Sequence, residues 1–171
     1  MNSVPLQTDY LKPGEIFWGS AGHCIGTLLG SCVSVTLWHP DFKLGIICHY
    51  LLPDRPPQAV ADARYAADAL PLMVRRIERS GTRLQEYQGK IFGGGNMFPA
   101  QTAVRRGTQM DIIGERNIQA GMQFLKEHGI RLMASDVGGN SYRTLLFDIS
   151  DGAVWLRRQN VPAAGLIKEI K

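Results

Sequence analysis

Apolar and polar residues alternate along several short stretches of the chain, and this alternation predicts β-strands. In the clearest stretch Val33, Val35 and Leu37 alternate with Ser34 and Thr36, as in a strand with one buried face. Short apolar runs bounded by turn residues predict further strands. These runs lie at 15–18, 24–29, 44–51, 90–92, 130–134, 142–148 and 153–158.

Two longer segments have the spacing of helices instead. Apolar residues recur every four positions over 65–77, which predicts a helix at about 62–80. Pro71 lies inside this segment and predicts either a kink or a late start near Ala69. A second helix is predicted at about 114–128, where apolar residues again share one face.

Strands outnumber helices in this pattern, and turn residues join several strands as hairpins. The sequence therefore predicts an α+β fold, an α/β sandwich in which two main helices pack on largely antiparallel sheets. No internal repeat or linker divides the 171 residues, so a single domain over 1–171 is expected. About 12 N-terminal and about 10 C-terminal residues are expected to be peripheral to that domain.

Composition restricts the class of protein. The hydrophobic fraction is 44%, which is ordinary for a globular domain with a core. No apolar run approaches the ~18 residues of a membrane helix, and the start MNSVPLQTDYLKPGE lacks the features of a secretory signal. A cytoplasmic location without membrane insertion is therefore expected, where three irregularly spaced cysteines would be reduced thiols.

The net charge of +4 comes from short clusters of arginine. The clusters are Arg75, Arg76 and Arg79; Arg105 and Arg106; and Arg157 and Arg158. They are either ordinary solvated faces or a surface that meets an acidic partner. No nucleic-acid recognition motif accompanies them, so no nucleic-acid partner is predicted.

The two strands on either side of residues 39–42 predict a hairpin that brings a cysteine to a histidine. With 39–42 as the turn, six apolar residues pair on one side of the sheet, which is how burial fixes a register. The pairs are Val33 with Cys48, Val35 with Ile46, and Leu37 with Leu44. On the other side Cys32 is opposite His49, and opposed residues have Cβ atoms about 4.5–5.5 Å apart. A thiol–imidazole hydrogen bond is therefore expected.

A cysteine beside a histidine has the chemistry of a nucleophile. A free thiol has a pKa of about 8.5, and a neighbouring imidazolium lowers that pKa toward an ion pair that is nucleophilic at neutral pH. Gly30 and Ser31 precede Cys32, and the Cys32 backbone N–H is a candidate donor to an oxyanion. The expected reaction is attack on an acyl carbon, giving a thioester that water cleaves.

Two other interpretations of the cysteines stay open. Cysteine is often a buried packing residue, an interpretation that suits Cys24 and Cys48 better than Cys32, which shares its face with hydroxyl residues. The other interpretation is a metal site, whose candidate ligands are His23, Cys24, Cys32, Cys48 and His49. These residues lack the C-x₂₋₄-C spacing of structural zinc sites. The run 93–95 of three glycines lacks the GK[ST] of a phosphate loop, which favours a tight turn near the mouth of the site.

Six sequence blocks follow one another over most of residues 14–158. They are LGSCVSVTLW (29–38), GIICHYLLP (45–53), RYAADAL (64–70), KIFGGGNMF (90–98), IGERN (113–117) and DVGGNSYR (136–143). Together, and in this order, they resemble the chemoreceptor glutamine deamidases called CheD. The resemblance implies a fold similar to that of the deamidating cytotoxic necrotizing factor toxins.

The resemblance also implies an activity and its residues. The activity is hydrolysis of particular glutamine side chains on methyl-accepting chemotaxis receptors to glutamate and ammonia, without a metal or organic cofactor. Cys32 matches the family's nucleophile and His49 its base. The family's third catalytic residue is a threonine that in some members lies six residues before the cysteine. Here Gly26 occupies that position, and Thr27 is carried as the third catalytic residue.

The expected partners follow from the same resemblance. The receptors are protein substrates with acidic cytoplasmic helices, and the phosphatase CheC is a further partner in species that carry it. The protein itself is expected to be a monomer. Two alternatives remain, a non-catalytic adaptor that binds receptors or CheC, and a papain-like protease or amidase acting on small molecules. The presence of both Cys32 and His49 favours the deamidase over the adaptor.

Overall fold

The computed structural model describes residues 7–98 and 109–161. The strands are β1 (Gln7–Tyr10), β2 (Ile16–Ser20), β3 (His23–Leu29), β4 (Val33–His39), β5 (Leu44–Cys48), β6 (Gln88–Gly93), β7 (Arg131–Val137), β8 (Ser141–Asp148) and β9 (Val154–Asn160). The helices are α1 (Ala66–Arg79) and α2 (Gln109–Glu127), with a short 3-10 helix at Leu84–Glu86. No helix of these residues is long and apolar enough to cross a membrane.

The strands form two sheets. The outer sheet has the strand order β1-β3-β8-β9, and the central sheet has the order β2-β5-β4-β6-β7. Two neighbouring pairs, β1 with β3 and β6 with β7, are parallel, whereas the other pairs are antiparallel. The α+β prediction of two helices on largely antiparallel sheets is confirmed.

The central sheet is buried on both faces. On one face, Val35 and Ile46 pack against apolar residues of the helices, such as Met73. On the other face, Ile47 packs against Ile25 and Phe147 of the outer sheet. The molecule thus has three layers, and the sequence-based prediction of one buried face for β4 was incomplete. Polar residues of β4 that were predicted to be exposed lie between the two sheets.

The hairpin of β4 and β5 has a register that differs from the predicted one. Leu37 pairs with Ile46, and Val33 bridges to Tyr50, so each pair is displaced by two residues. The turn comprises 40–43. A displacement by two keeps every side chain on its predicted face, because the side-chain period of a strand is two. The apolar pattern therefore predicted the faces correctly and the register incorrectly.

Strand β1 was not predicted from the sequence. Its residues Gln-Thr-Asp-Tyr show no apolar alternation, yet they pair in parallel with His23 to Gly26. The next residue, Leu11, is buried, and its N–H donates to the Gly26 carbonyl at 2.8 Å. Residues 7–11, which were expected to be peripheral, are therefore part of the outer sheet and its core.

Helix α1 begins at Ala66, between the two starts that the sequence allowed, and Pro71 lies in its second turn. Pro71 is exposed, so water can reach the carbonyl that its missing N–H leaves without a partner. The predicted apolar stripe is confirmed, since Ala69, Met73 and Ile77 are all buried. This stripe fixes the helix on the central sheet.

Candidate active site

The chain crosses from the outer to the central sheet at Gly30-Ser31-Cys32, between β3 and β4. Cys32 is partly exposed and packs beside an apolar cluster between the sheets that includes Leu29 and Phe92. The other two cysteines, Cys24 and Cys48, are buried. All three are free thiols, and Cys32 is the accessible one.

The glycine run that ends β6 holds this crossing in place. The Gly94 N–H donates to the Cys32 carbonyl at 2.8 Å, and the Gly95 N–H donates to the Gly30 carbonyl at 2.9 Å. Gly93 has a φ of 109°, and a Cβ at this position would overlap the Cys32 carbonyl oxygen. Glycine is therefore required for the backbone of β6 to approach this loop. The sequence predicted a tight turn at 93–95; the structure has Gly93 and Gly94 at positive φ angles, 109° and 67°, where β6 ends.

Thr27 of β3 and His49, which follows β5, meet between the two sheets. Both side chains are buried, and Thr27 Oγ1 lies 2.8 Å from His49 Nδ1. The same hydroxyl donates to the Leu11 carbonyl at 2.8 Å. Because a hydroxyl has one proton, Thr27 accepts the other hydrogen bond from a protonated His49 Nδ1. The neutral imidazole then has its free lone pair on Nε2.

The predicted hydrogen bond between Cys32 and His49 is not formed. His49 Nε2 is buried and has no hydrogen-bond partner among residues 7–98 and 109–161. The register displacement explains this, because it places Ser34, not Cys32, opposite His49. Cys32 is instead a diagonal neighbour of His49 on the same face, at a greater distance than an opposed pair.

Burial shifts both pKa values away from an ion pair. It lowers the pKa of His49 to about 4. It also raises the pKa of the Cys32 thiol, which its own backbone N–H lowers to a smaller extent. Both directions favour a neutral thiol and a neutral imidazole, the opposite of the imidazolium–thiolate pair expected from the sequence. Burial raises the pKa of Cys48 to about 12, so that thiol is inert at neutral pH.

Asn117 of α2 contacts the backbone beside the site and was not predicted from the sequence. Asn117 is fully buried, and its Nδ2 donates to the carbonyls of Ser31 at 3.0 Å and Leu51 at 2.7 Å. The backbone carbonyl of Asn117 accepts from the Tyr50 hydroxyl at 2.6 Å. The signal in the sequence was an asparagine within a helix that otherwise packs by apolar residues.

Within the described ranges, no three His, Cys, Asp or Glu side chains are grouped as a metal site would require. Among the arginine clusters, Arg75, Arg79 and Arg157 are exposed. Arg158 pairs with Asp136. The remaining cluster, residues 105–106, lies outside the described residues.

Comparison with known sequences identifies the protein family. A family model described as CheD chemotactic sensory transduction matches residues 51–158. A probable chemoreceptor glutamine deamidase CheD 3 of Dechloromonas aromatica (strain RCB) is 46% identical over 160 residues, covering 91% of this chain and 91% of that protein. The chain belongs to the CheD family.

Other CheD relatives cover similar shares of the chain. A probable chemoreceptor glutamine deamidase CheD 2 of Albidiferax ferrireducens is 46% identical over 149 residues, covering 85% of this chain and 84% of that protein. A probable chemoreceptor glutamine deamidase CheD of Pseudomonas savastanoi pv. phaseolicola is 39% identical over 154 residues, with coverages of 90% and 85%. The match to the CheD family model begins after His49, so it does not bear on Thr27, Cys32 or His49.

One solved structure resembles the fold distantly. The crystal structure of the Bacillus licheniformis hypothetical protein YfiH aligns with a TM-score of 0.46 and 12% identity, covering 78% of this chain and 60% of that chain. A likeness at this level carries no argument about function.

Proposed function

We propose that the chain is a protein-glutamine glutaminase that hydrolyses side-chain amides of particular glutamines on methyl-accepting chemotaxis receptors. The names of its relatives, probable chemoreceptor glutamine deamidases, support this substrate class. The observation that carries the mechanism is the 2.8 Å contact between Thr27 Oγ1 and His49 Nδ1. It leaves Nε2 as the basic nitrogen, within the space between the sheets that Cys32 borders.

In the first half of the proposed reaction, Cys32 displaces ammonia. His49 Nε2 accepts the thiol proton as Sγ attacks the amide carbon, and the carbonyl electron pair moves onto oxygen. The imidazolium then returns the proton to the amide nitrogen, the C–N bond breaks, and ammonia leaves a thioester on Cys32. The hydrogen bond between Nε2 and the thiol must form when substrate binds, as catalytic contacts often tighten in the complex.

In the second half, water releases the product. His49 Nε2 takes a proton from water as the oxygen attacks the thioester carbon, and a second tetrahedral oxyanion forms. Its collapse breaks the C–S bond, and the proton on His49 returns to the sulfur. The glutamine side chain has become a glutamic acid, which ionises at neutral pH. The enzyme returns to its neutral thiol and imidazole.

The Cys32 backbone N–H is the proposed donor to both oxyanions. Among the backbone hydrogen bonds of the described turns and loops, it donates to no carbonyl. A donor beside the attacking sulfur is at the place where negative charge develops. CheC binding, which the family resemblance implies, and a monomeric state both stay predictions.

Replacement of single cysteines tests this proposal. Cys32→Ala should abolish deamidation of receptor cytoplasmic fragments, measured by mass spectrometry in heavy-oxygen water. Cys24→Ala and Cys48→Ala are the controls, since they should keep activity and lose stability by about 1 kcal/mol, as small core truncations do. Full activity in Cys32→Ala would overturn the assignment. A wild-type protein that binds the fragments without hydrolysing them would instead establish the adaptor.

A further inference from the structure

The side-chain amide of Asn117 joins the two segments that carry the proposed nucleophile and base. One of its N–H groups donates to the carbonyl of Ser31, directly before Cys32, and the other to the carbonyl of Leu51, two residues after His49. Two carbonyl acceptors fix the orientation of the amide, because the reverse orientation would place Oδ1 against two oxygens. The arrangement needs both N–H groups of this one side chain.

The bond to Ser31 acts on the proposed oxyanion donor through a shared peptide unit. The Ser31 carbonyl and the Cys32 N–H belong to the same peptide bond, which is planar and trans. Its C=O and N–H therefore point in opposite directions. With the carbonyl held by Asn117 at 3.0 Å, the Cys32 N–H is directed away from the Asn117 amide and α2.

Burial strengthens the hydrogen bond from Asn117 to the Ser31 carbonyl, and with it the polarisation of that peptide unit. Asn117 is fully buried, and a hydrogen bond in a low dielectric is stronger than in water. A bond accepted by a peptide carbonyl also strengthens the N–H of the same peptide as a donor, because hydrogen bonds in a chain polarise one another. The Tyr50 hydroxyl bonds to the Asn117 carbonyl at 2.6 Å, so the helix backbone at this point is fixed as well.

We propose that Asn117 is a positioning residue that aims and polarises the Cys32 N–H as the oxyanion donor of the deamidation. The inference rests on the proposed function, since an oxyanion forms only if Cys32 attacks an acyl carbon. Asn117 itself touches no reacting atom. Its removal should leave the thiol in place while the oxyanion loses a well-directed donor.

The test compares two reactions of the same thiol. Deamidation of a receptor fragment passes through an oxyanion, whereas alkylation of Cys32 by iodoacetamide is a displacement at carbon that forms none. Asn117→Ala should lower kcat roughly 10- to 100-fold with little change in KM, the range expected when an oxyanion donor is misplaced. The rate of Cys32 alkylation should fall much less than kcat, because the thiol stays in place and its pKa is set mainly by burial. Lys90→Met is the matched control, because it removes one side-chain bond to the Gly152 carbonyl and should leave kcat unchanged.

Asn117→Asp adds a readout that a purely structural role would not move. A carboxylic acid facing two carbonyls keeps one O–H donor when protonated and none when ionised. Its kcat relative to the wild type should therefore rise as the pH falls from 8 toward about 5, whereas the relative kcat of Asn117→Ala should not. Circular dichroism at the assay temperature identifies any variant that has not folded.

The outcomes separate this inference from the proposed function. A wild-type protein that does not deamidate, or a Cys32→Ala variant that does, removes the proposed function itself. With those two results as expected, an unchanged kcat in Asn117→Ala overturns the positioning role. A parallel loss of alkylation and turnover in a folded Asn117→Ala protein also overturns it, since that would mean the thiol itself had moved.

Discussion

The hydroxyl of Thr27 has one proton, and the Leu11 carbonyl accepts it. The hydroxyl oxygen can therefore only accept a hydrogen bond from His49, which selects the imidazole tautomer with its proton on Nδ1. The proposed role of Thr27 is thus to make Nε2 the base, and the backbone carbonyl of Leu11, directly after β1, holds the hydroxyl in this orientation. This arrangement works only because β1 places Leu11 beside β3.

Substitution at Thr27 tests whether the hydroxyl sets the tautomer. Thr27→Val keeps the shape but leaves the His49 Nδ1–H buried without an acceptor, which costs about 1–3 kcal/mol. We expect kcat to fall by roughly 10- to 100-fold, and the nitrogen NMR shifts of His49 to show a changed tautomer. Thr27→Ser keeps the hydroxyl and should retain most of the activity. Equal activity in the valine and serine variants would mean that Thr27 only packs.

The buried imidazole also predicts how stability depends on pH. Burial lowers the pKa of His49 from 6.5 to about 4 in the folded protein, so the unfolded chain binds the proton more readily between these values. His49 therefore contributes full stability above about pH 6.5, and this contribution is lost as the pH falls through 4. The slope within the window should approach about 1.4 kcal/mol per pH unit.

Urea denaturation at several pH values between 4 and 8 measures this slope. His49→Gln cannot take up the proton and should remove the corresponding part of the pH dependence. His23→Gln is the control, because His23 is partly exposed at the start of β3 and should leave that part in place. An identical pH dependence in the wild type and His49→Gln would contradict the burial-lowered pKa.

At the level of elements, the glycine run that ends β6 shapes the Gly30-Ser31-Cys32 loop. Gly93 and Gly81 both have positive φ angles, but only at Gly93 would a Cβ meet backbone, namely the Cys32 carbonyl. Gly81→Ala should therefore cost about 1–2 kcal/mol from the left-handed conformation alone and leave kcat unchanged. Gly93→Ala also places an alanine at a positive φ angle, 109°, and must in addition displace the Cys32 carbonyl.

We expect Gly93→Ala to lose more stability than Gly81→Ala and to lose turnover as well. Thermal unfolding compares the two variants, and kcat at a temperature where both are folded separates stability from activity. If Gly93→Ala keeps the kcat of Gly81→Ala, contact with the glycine run does not position Cys32.

The elements also show which parts of the structure the sequence could predict. Apolar alternation located β4 and β5 and the faces of their side chains, because burial acts on every second residue. The same period of two made the register ambiguous. Cys32 was therefore predicted opposite His49, whereas the residue opposite His49 is Ser34, two positions further along β4. Strand β1 carries no apolar alternation, since a parallel edge strand is held mainly by backbone bonds.

The contacts of Thr27 and Asn117 could not be predicted from local sequence patterns, for a different reason. Thr27 lies on the outer sheet, whereas His49 directly follows β5 of the central sheet. Asn117 bonds to Ser31 and Leu51 from a helix far along the chain. Such contacts depend on how layers pack, which neither spacing nor periodicity encodes. The family resemblance singled out Thr27 and His49 as catalytic candidates, but not the Leu11 carbonyl that orients them.

At the scale of the whole molecule, the positions of the charges relative to Cys32 determine which of them a substrate can meet. Arg157 of β9 is aligned with Thr144 of β8, which is aligned with Leu28 near the end of β3 that leads to Cys32. Two strand spacings are about 10 Å, so Arg157 is about that far from Leu28, and the exposed side chains of both lie on the solvent face of the outer sheet. Arg79 ends α1, in the helical layer on the far side of the central sheet.

Salt should therefore slow receptor turnover through the charge at Arg157. Screening shortens the range of attraction between a basic protein and an acidic receptor helix, with a Debye length of about 10 Å at 0.1 M salt. Rising salt should raise the KM for a receptor fragment while the rate of Cys32 alkylation stays constant, because iodoacetamide carries no charge. Arg157→Glu should raise KM at low salt and flatten the salt dependence.

Arg79→Glu makes the same change of net charge on the other side of the molecule and is the matched control. We expect its salt dependence to stay close to that of the wild type, since a charge separated from Cys32 by the central sheet cannot contact a helix bound at the loop. Equal effects of the two variants would mean that net charge alone steers the receptor. If turnover is independent of ionic strength in all three proteins, the receptor is recognised by shape and apolar contact. Leu28 and Trp155, which are exposed on the same outer face, are then the residues to replace.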